Sequence, residues 1–406
     1  MTDWRNVLRR VSCSVPWLAI ACIALEATGA QGATYYVSTS GSDSNPGTSS
    51  SPWRNPQKCA RSPIKAGDTC IVRSGTYTDT DRNGVVVYVN STSAAGTSSQ
   101  PITIKSEVRQ GAVIAVPSTH SNNFGFYISR PYYIIEGFDI TGGNKAGSGT
   151  HGIILYSAAS GMIVRSNAIH HIGRAVCSNS GVFTGVLLGG TISNVVIEEN
   201  RFYSIGRRQS GESGCSTTAK NLDHGIYMSG GSNTTVRRNV FYDVVRGYPI
   251  QLYGGTTSNI NIYHNTFSGR NSTGIPEGQV MLASTIRGAT IKNNISHNPA
   301  TAMVTTHNLS ASSVSVNYNV GTAKMKRVSS IAGVTFSNNA ENITNPGFID
   351  SSRYDFRLTS TSYALNRGTS SGVPVVPDGR PDASAYEYSV QNNISSPLTP
   401  TGVRIQ

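Results

Sequence analysis

The chain has 406 residues, with 33 Lys and Arg against 21 Asp and Glu for a formal +12, yet only 13% of residues are charged and 42 are Gly. This excludes an intrinsically disordered chain, which would carry more charge and fewer branched apolar residues and Tyr, and a helical bundle, which would be rich in Ala, Glu, Lys and Leu. The positive excess points to an anionic partner.

At the N-terminus Arg5, Arg9 and Arg10 precede an apolar run from Val15 to Leu25, followed by the small residues Thr28, Gly29 and Ala30. The pattern predicts a secretory signal peptide over residues 1–30, too short to span a bilayer. The mature protein is therefore expected outside the cytoplasm, secreted or periplasmic, with no membrane span. Residues 31–390 read as one domain: an irregular opening to about 110, coils to about 345, and a closing segment. Residues 391–406 read as a polar tail. Cys13 and Cys22 leave with the signal, so Cys59, Cys70, Cys177 and Cys215 remain. An even number in an exported chain predicts two disulfides, and four cysteines allow three connectivities. Cys59 with Cys70 is the local choice and leaves Cys177 with Cys215. No Cys or His spacing suits zinc.

The middle of the chain repeats. An apolar residue, two variable positions and an Asn recur at Val164–Asn167, Ile197–Asn200, Val236–Asn239, Ile262–Asn265, Ile291–Asn294 and Val316–Asn319. The steps between these Asn residues are 33, 39, 26, 29 and 25. A short β-like run precedes each, as in Gly152-Ile-Ile-Leu155, Gly185-Val-Leu-Leu188, Gly225-Ile-Tyr-Met228 and Ile250-Gln-Leu-Tyr253, and Phe202, Phe241 and Phe267 each follow an Asn by two places. Short strands with Gly, Asn and Ser turns at a drifting period predict a solenoid of β-coils, in which stacked Asn amides bond to one another and to backbone. The region from about Ala323 to Pro346 loses the repeat and reads as a final irregular coil.

The opening motifs make the likeness specific. Tyr35-Tyr-Val-Ser-Thr-Ser-Gly-Ser-Asp-Ser-Asn-Pro-Gly47, Ser51-Pro-Trp53 and Gly67-Asp-Thr-Cys-Ile-Val-Arg-Ser-Gly-Thr-Tyr77 resemble the start of secreted right-handed parallel β-helix proteins of the pectate-lyase-like superfamily, many of which are polysaccharide lyases. Tyr354-Asp-Phe-Arg-Leu358, Asp378-Gly-Arg-Pro381 and Ala385-Tyr-Glu-Tyr388 resemble the closing segment of the same proteins. The resemblance implies an all-β chain folded as a single-stranded right-handed parallel β-helix.

Aligning the coils on Asn exposes a column of Arg174, Arg207 and Arg246, each seven residues after its Asn. Stacked guanidinium groups suit the carboxylates of an acidic polysaccharide, which they bind through their fork geometry. Arg165, Arg237 and Lys292 share a second register, interrupted by Glu198 and Tyr263. The densest polar cluster is Asn221-Leu-Asp223-His224-Gly-Ile-Tyr227, with Tyr248 matched to His224, Gln251 to Tyr227, and His151 two coils back. Uronate β-elimination needs a cation to neutralise the carboxylate, a base for the C5 proton and an acid for the leaving oxygen. The expected roles are Arg246 and Arg207 as neutralising cations, His224 as base, Tyr227 or Tyr248 as acid, and Asp223 as a further catalytic carboxylate. Arg174, Arg207, Gln251, Arg237 and His151 are expected to bind substrate, while His170, His171 and His264 read as surface positions.

Family lyases often hold Ca²⁺ with clustered Asp. Here the only central Asp are Asp223 and Asp243, beside Glu198 and Glu199, so a multi-carboxylate cage is not expected and a single Ca²⁺ stays open. The expectation is an exported lyase acting as a monomer on an anionic polysaccharide. The alternatives are a glycoside hydrolase on the same scaffold, a C5-epimerase, or a non-catalytic glycan-binding protein. Nucleic acid is not expected, because the basic residues do not cluster with stacking aromatics.

Overall fold

The computed structural model describes residues 32–217, 221–269, 278–374, 376 and 379–388. The expected signal peptide, the polar tail and Asp378 lie outside the described residues. Runs with apolar residues at alternate positions form short strands whose inner side chains meet inside a tube. Ile153, Val186, Ile226, Ile250, Val280 and Val304 stack in one solvent-free line. Phe202, Phe241 and Phe267 stack in another, with ring centroids 4.7 and 5.1 Å apart. Among the described residues one sheet pairs eighteen strands and a second pairs nine, both in parallel register. The chain is a right-handed parallel β-helix, the hand that crossovers between parallel strands take. No helix among the described residues is long and apolar enough to cross a membrane.

The Asn repeat is a buried amide ladder. Asn167 Nδ2 donates to Asn200 Oδ1, Asn200 to Asn239, Asn239 to Asn265, Asn265 to Asn294 and Asn294 to Asn319, each at 2.9–3.0 Å. Each of these oxygens also accepts the backbone N–H of the preceding ladder Asn. The residue just before each Asn takes left-handed backbone: Ser166, Glu199, Arg238, His264, Asn293 and Tyr318 have φ of 53–59°. That conformation costs roughly 1–2 kcal/mol per non-Gly residue, and the satisfied amides offset it. Asn339 extends the ladder into the stretch where the sequence repeat fades, and Val334–Ser337 pairs there with Val314–Asn317.

Parallel pairing begins as early as Thr34–Val37, which stacks on Thr69–Val72. Gln57 bonds both the N–H and the C=O of Tyr88, and so occupies the strand edge as a further strand would. Disulfides join Cys59 to Cys70 and Cys177 to Cys215. The closing segment forms an antiparallel pair, Phe348–Asp350 with Asp355–Leu358. It lies along the outer face of the nine-stranded sheet, where Phe356 and Ala385 pack on Val240 and Tyr242.

Candidate active site

The larger sheet carries the site on its outer face. The glycines Gly152, Gly185 and Gly225 stack in successive coils, and a Cβ on them would lie 2.6–2.7 Å from a carbonyl oxygen of the next coil. These positions require Gly for space, since coils cannot approach with a side chain between them. The residues just before them, His151, Thr184 and His224, form their own column. Pro249 follows in the glycine column, and two residues earlier Gly247 meets the preceding coil, where a Cβ would collide with Asp223 O and His224 Nδ1.

His224 lines an open cleft of ≈ 410 Å³ together with Tyr227, Tyr248, Gln251, Tyr253 and His307. Asn221, Leu222, Val182, Met281 and Thr306 complete its wall. Tyr248 stacks on the imidazole of His224 at 5.8 Å, and Tyr227 tilts against it at 5.5 Å. The backbone N–H of Tyr248 donates to His224 Nδ1 at 3.1 Å. Burial pushes His224 down to about 3, so the ring is neutral, and its proton sits on Nε2 because Nδ1 is an acceptor. The lone pair that a base would use is therefore spent on backbone, and the expected base role of His224 gives way to hydrogen-bond donation from Nε2. Burial also raises the Tyr227 phenol, which keeps it protonated and suited to acid work. Gln251 is buried, and its Oε1 has no hydrogen-bond partner among the described residues.

Two members of the arginine column, Arg207 and Arg246, do not face solvent. Arg207 and Asp223 are an ion pair with fully buried side chains. Nε reaches Oδ2 at 2.9 Å, and the terminal nitrogen reaches Oδ1 at 3.0 Å. Asp223 also accepts the N–H groups of Arg207 and Phe183, and Arg207 donates to the carbonyls of Ser178 and Ser180. Burial pushes the Asp223 carboxyl up, and Arg207 pulls it back. Arg246, also buried, donates to the carbonyls of Ser178 and Arg208. These cations hold the loop beside Cys177 from beneath, so neither Arg207 nor Arg246 is presented to a polyanion and Asp223 is not a free catalytic carboxylate. Arg174 is paired with Glu212. Arg237 lies between Glu198, at 2.6 Å, and the Tyr263 hydroxyl, within an alternation of charges in which Arg165 likewise pairs Glu136. Opposite charges in successive coils compensate one another, which removes the expected ladder for substrate. His151 stands in the His224 column, bonded to Thr184 Oγ1 at 2.7 Å and held neutral by burial at about 3.

Of the expected site, the structure brings together His224, Tyr227, Tyr248 and Gln251. Sequence reasoning missed Tyr253 and His307. The Gly of Gly152, Gly185 and Gly225 is replaced by Pro249, Gln279 and Met303 in the following coils, and it is the pairing of Val304–His307 with Val280–Ala283 that places His307 at the cleft. Among the described residues no group of three or more His, Cys, Asp or Glu could hold a metal.

Residues 35–225 match the family described as Pel9A-like, right handed beta helix region. The solved structure of pectate lyase Pel9A superposes with a TM-score of 0.52 at 16% identity, covering 88% of this chain and 97% of that one. A rhamnogalacturonan lyase follows with a TM-score of 0.47, 15% identity and coverage of 89% and 98%. The lacto-N-biosidase of Eubacterium ramulus has a TM-score of 0.37 at 13% identity, covering 77% of this chain and 68% of that one. No curated protein matches the sequence. The Pel9A-like likeness is one of fold: identities this low carry no site residue across.

Proposed function

We propose that the chain is an exported lyase that cuts a uronate-containing polysaccharide by β-elimination in the cleft around His224 and Tyr227. The observation that carries this reading is a cleft rich in hydrogen-bond donors and aromatic rings but without a carboxylate among its described lining residues. Glycoside hydrolysis needs two carboxylates across the bond, and Asp223 is committed to Arg207. The parallel β-helix and its two disulfides fit a protein that works outside the cytoplasm.

In this reading Tyr227 protonates the leaving oxygen. His224 Nε2–H and the Gln251 amide hold the carbonyl oxygen on which charge develops. His307 takes the C5 proton. Its Nε2 meets the exposed Asn308 amide at 3.2 Å, a contact that rotation of that side chain releases. Tyr248 positions His224 through its N–H and its stacked ring.

The test is incubation of the mature protein with a panel of uronate polymers, following the ultraviolet absorbance of an unsaturated product. Tyr227→Phe and His307→Ala are each expected to lower kcat by ~10²–10⁴-fold. New reducing ends without absorbance would mean hydrolysis, and binding with neither would mean a glycan-binding protein. Full turnover in both variants would remove the cleft from the mechanism.

A further inference from the structure

The outer face of the larger sheet passes through the cleft as adjacent columns of side chains. The middle column runs from Tyr88 and Tyr127 through Ile154 and Leu187 to Tyr227 and Gln251, and ends at Met281 and Thr305. On one side stand Phe124, His151, Thr184 and His224. On the other, Tyr156 pairs with Gly189, and a Cβ there would sit 2.5 Å from the Tyr156 ring. No Lys, Arg, Asp or Glu occupies any of these positions. Eight strands at ~4.8 Å spacing make a face ~34 Å long, room for an oligosaccharide rather than a single sugar. Tyr156 is 47% exposed and Tyr253 41%, so ring surface is open to the C–H faces of sugars.

The chain has a large positive charge, yet none of it falls in these columns, and Arg165 and Arg237 of the same sheet are paired with Glu136 and Glu198. Arg207 and Arg246 are committed beneath the face, and the two imidazoles in the His224 column are neutral. Arg327 lines a separate hollow that shares Thr306 with the cleft. Among the described residues no Lys or Arg lines the cleft, so a carboxylate brought there would lose water without gaining a counter-charge from them. We infer that the cleft takes its uronate as a neutral ester rather than as a carboxylate, an inference that rests on the β-elimination reading.

Ester chemistry also removes the need for a cation. Proton loss beside a carboxylate builds a dianion, whereas beside an ester it builds a singly charged enolate that neutral donors can hold. The base takes the C5 proton, and the electron pair of that C–H bond forms the C4–C5 double bond. The C4–O4 bond breaks with its pair on O4, which takes the Tyr227 proton. The proton removed from C5 restores Tyr227 through solvent, and no water is consumed. The products are an unsaturated ester end and a chain ending in a new hydroxyl.

The test uses the full mature chain on one polygalacturonan, methyl-esterified and saponified, with and without calcium, following the absorbance of the unsaturated product. The expected result is a preference for the ester of ~10-fold or more in kcat/KM. Ester turnover should be insensitive to salt, and Arg327→Gln should leave it within ~2-fold. Equal or faster cleavage of the saponified polymer overturns the inference and leaves the lyase reading standing. Loss of ester turnover in Arg327→Gln does the same, by identifying a neutralising cation. No unsaturated product from either form, here or with methylated and free alginate, overturns both.

Discussion

Replacing Arg207 with Met tests whether the arginine column is an internal brace or a substrate ladder. Both side chains of the Arg207–Asp223 pair are fully buried. The substitution removes two of the four donors that Asp223 accepts and leaves its charge uncompensated; it also strips the Ser178 and Ser180 carbonyls of a partner. Breaking a buried pair from one side costs ~3–5 kcal/mol. At ~2 °C per kcal/mol for a large domain, the melting temperature should fall by ~6–10 °C. Asp223→Asn should cost a similar amount, because it leaves a buried guanidinium without its anion. The double variant contains neither charge, so its loss should fall short of the sum by ~1–3 kcal/mol. Calorimetry on the four proteins of this cycle measures that coupling. An Arg207→Met protein that melts within ~1 °C of the parent but loses polyuronate binding would refute the brace, because the guanidinium would then be spending its energy on substrate.

Two further outcomes follow from buried groups. Asn200→Ala removes an amide that accepts from Asn167 N and Nδ2 and donates to Val164 O and Asn239 Oδ1. With several buried groups orphaned at ~1–3 kcal/mol each, the variant should fail to fold or melt well below the parent, and a near-neutral result would overturn the ladder's energetic role. Burial holds His151 and His224 at about 3 and His264 at about 4. The unfolded chain protonates its His near ~6.5, so below that pH the unfolded state binds more protons. Stability is therefore complete above pH ~6.5 and falls as the medium acidifies, by up to ~1.4 kcal/mol per pH unit for each His. Denaturant melts between about pH 7 and about pH 4.5 check this; His151→Gln should flatten the slope by about one proton, and a slope unchanged in that variant would refute it.

The architecture was legible because a solenoid writes its period into the chain. Successive coils place an Asn where the ladder passes, and three of them, at Gly152, Gly185 and Gly225, a Gly where backbones touch, and both columns were visible as repeats. The cleft was half legible for the same reason. His224, Tyr227, Tyr248 and Gln251 follow from matching neighbouring coils, whereas His307 sits two coils further on, where the strand pairing shifts register just past Ala283. The arginines were misread because spacing reports a shared column and not the side of the coil wall on which a side chain ends. Asp223 lies in the sequence beside His224 and seemed part of the same surface cluster. In the fold it turns inward to Arg207, and the next residue faces the cleft.

The sequence by itself determined the β-helix, the disulfide pairing among its nearer choices, and the scarcity of charge that a wall of Gly, Ser, Thr and Asn turns entails. It also presented a positive excess and suggested a polyanion to match. Only the tertiary structure decided where that excess goes. The central arginines of the expected ladder are used inside the wall or paired with acids on it, and the face that carries the cleft holds no charge in the columns that cross it. The reason is physical: net charge is a sum over residues, whereas recognition depends on which charges remain unpaired and within reach of solvent.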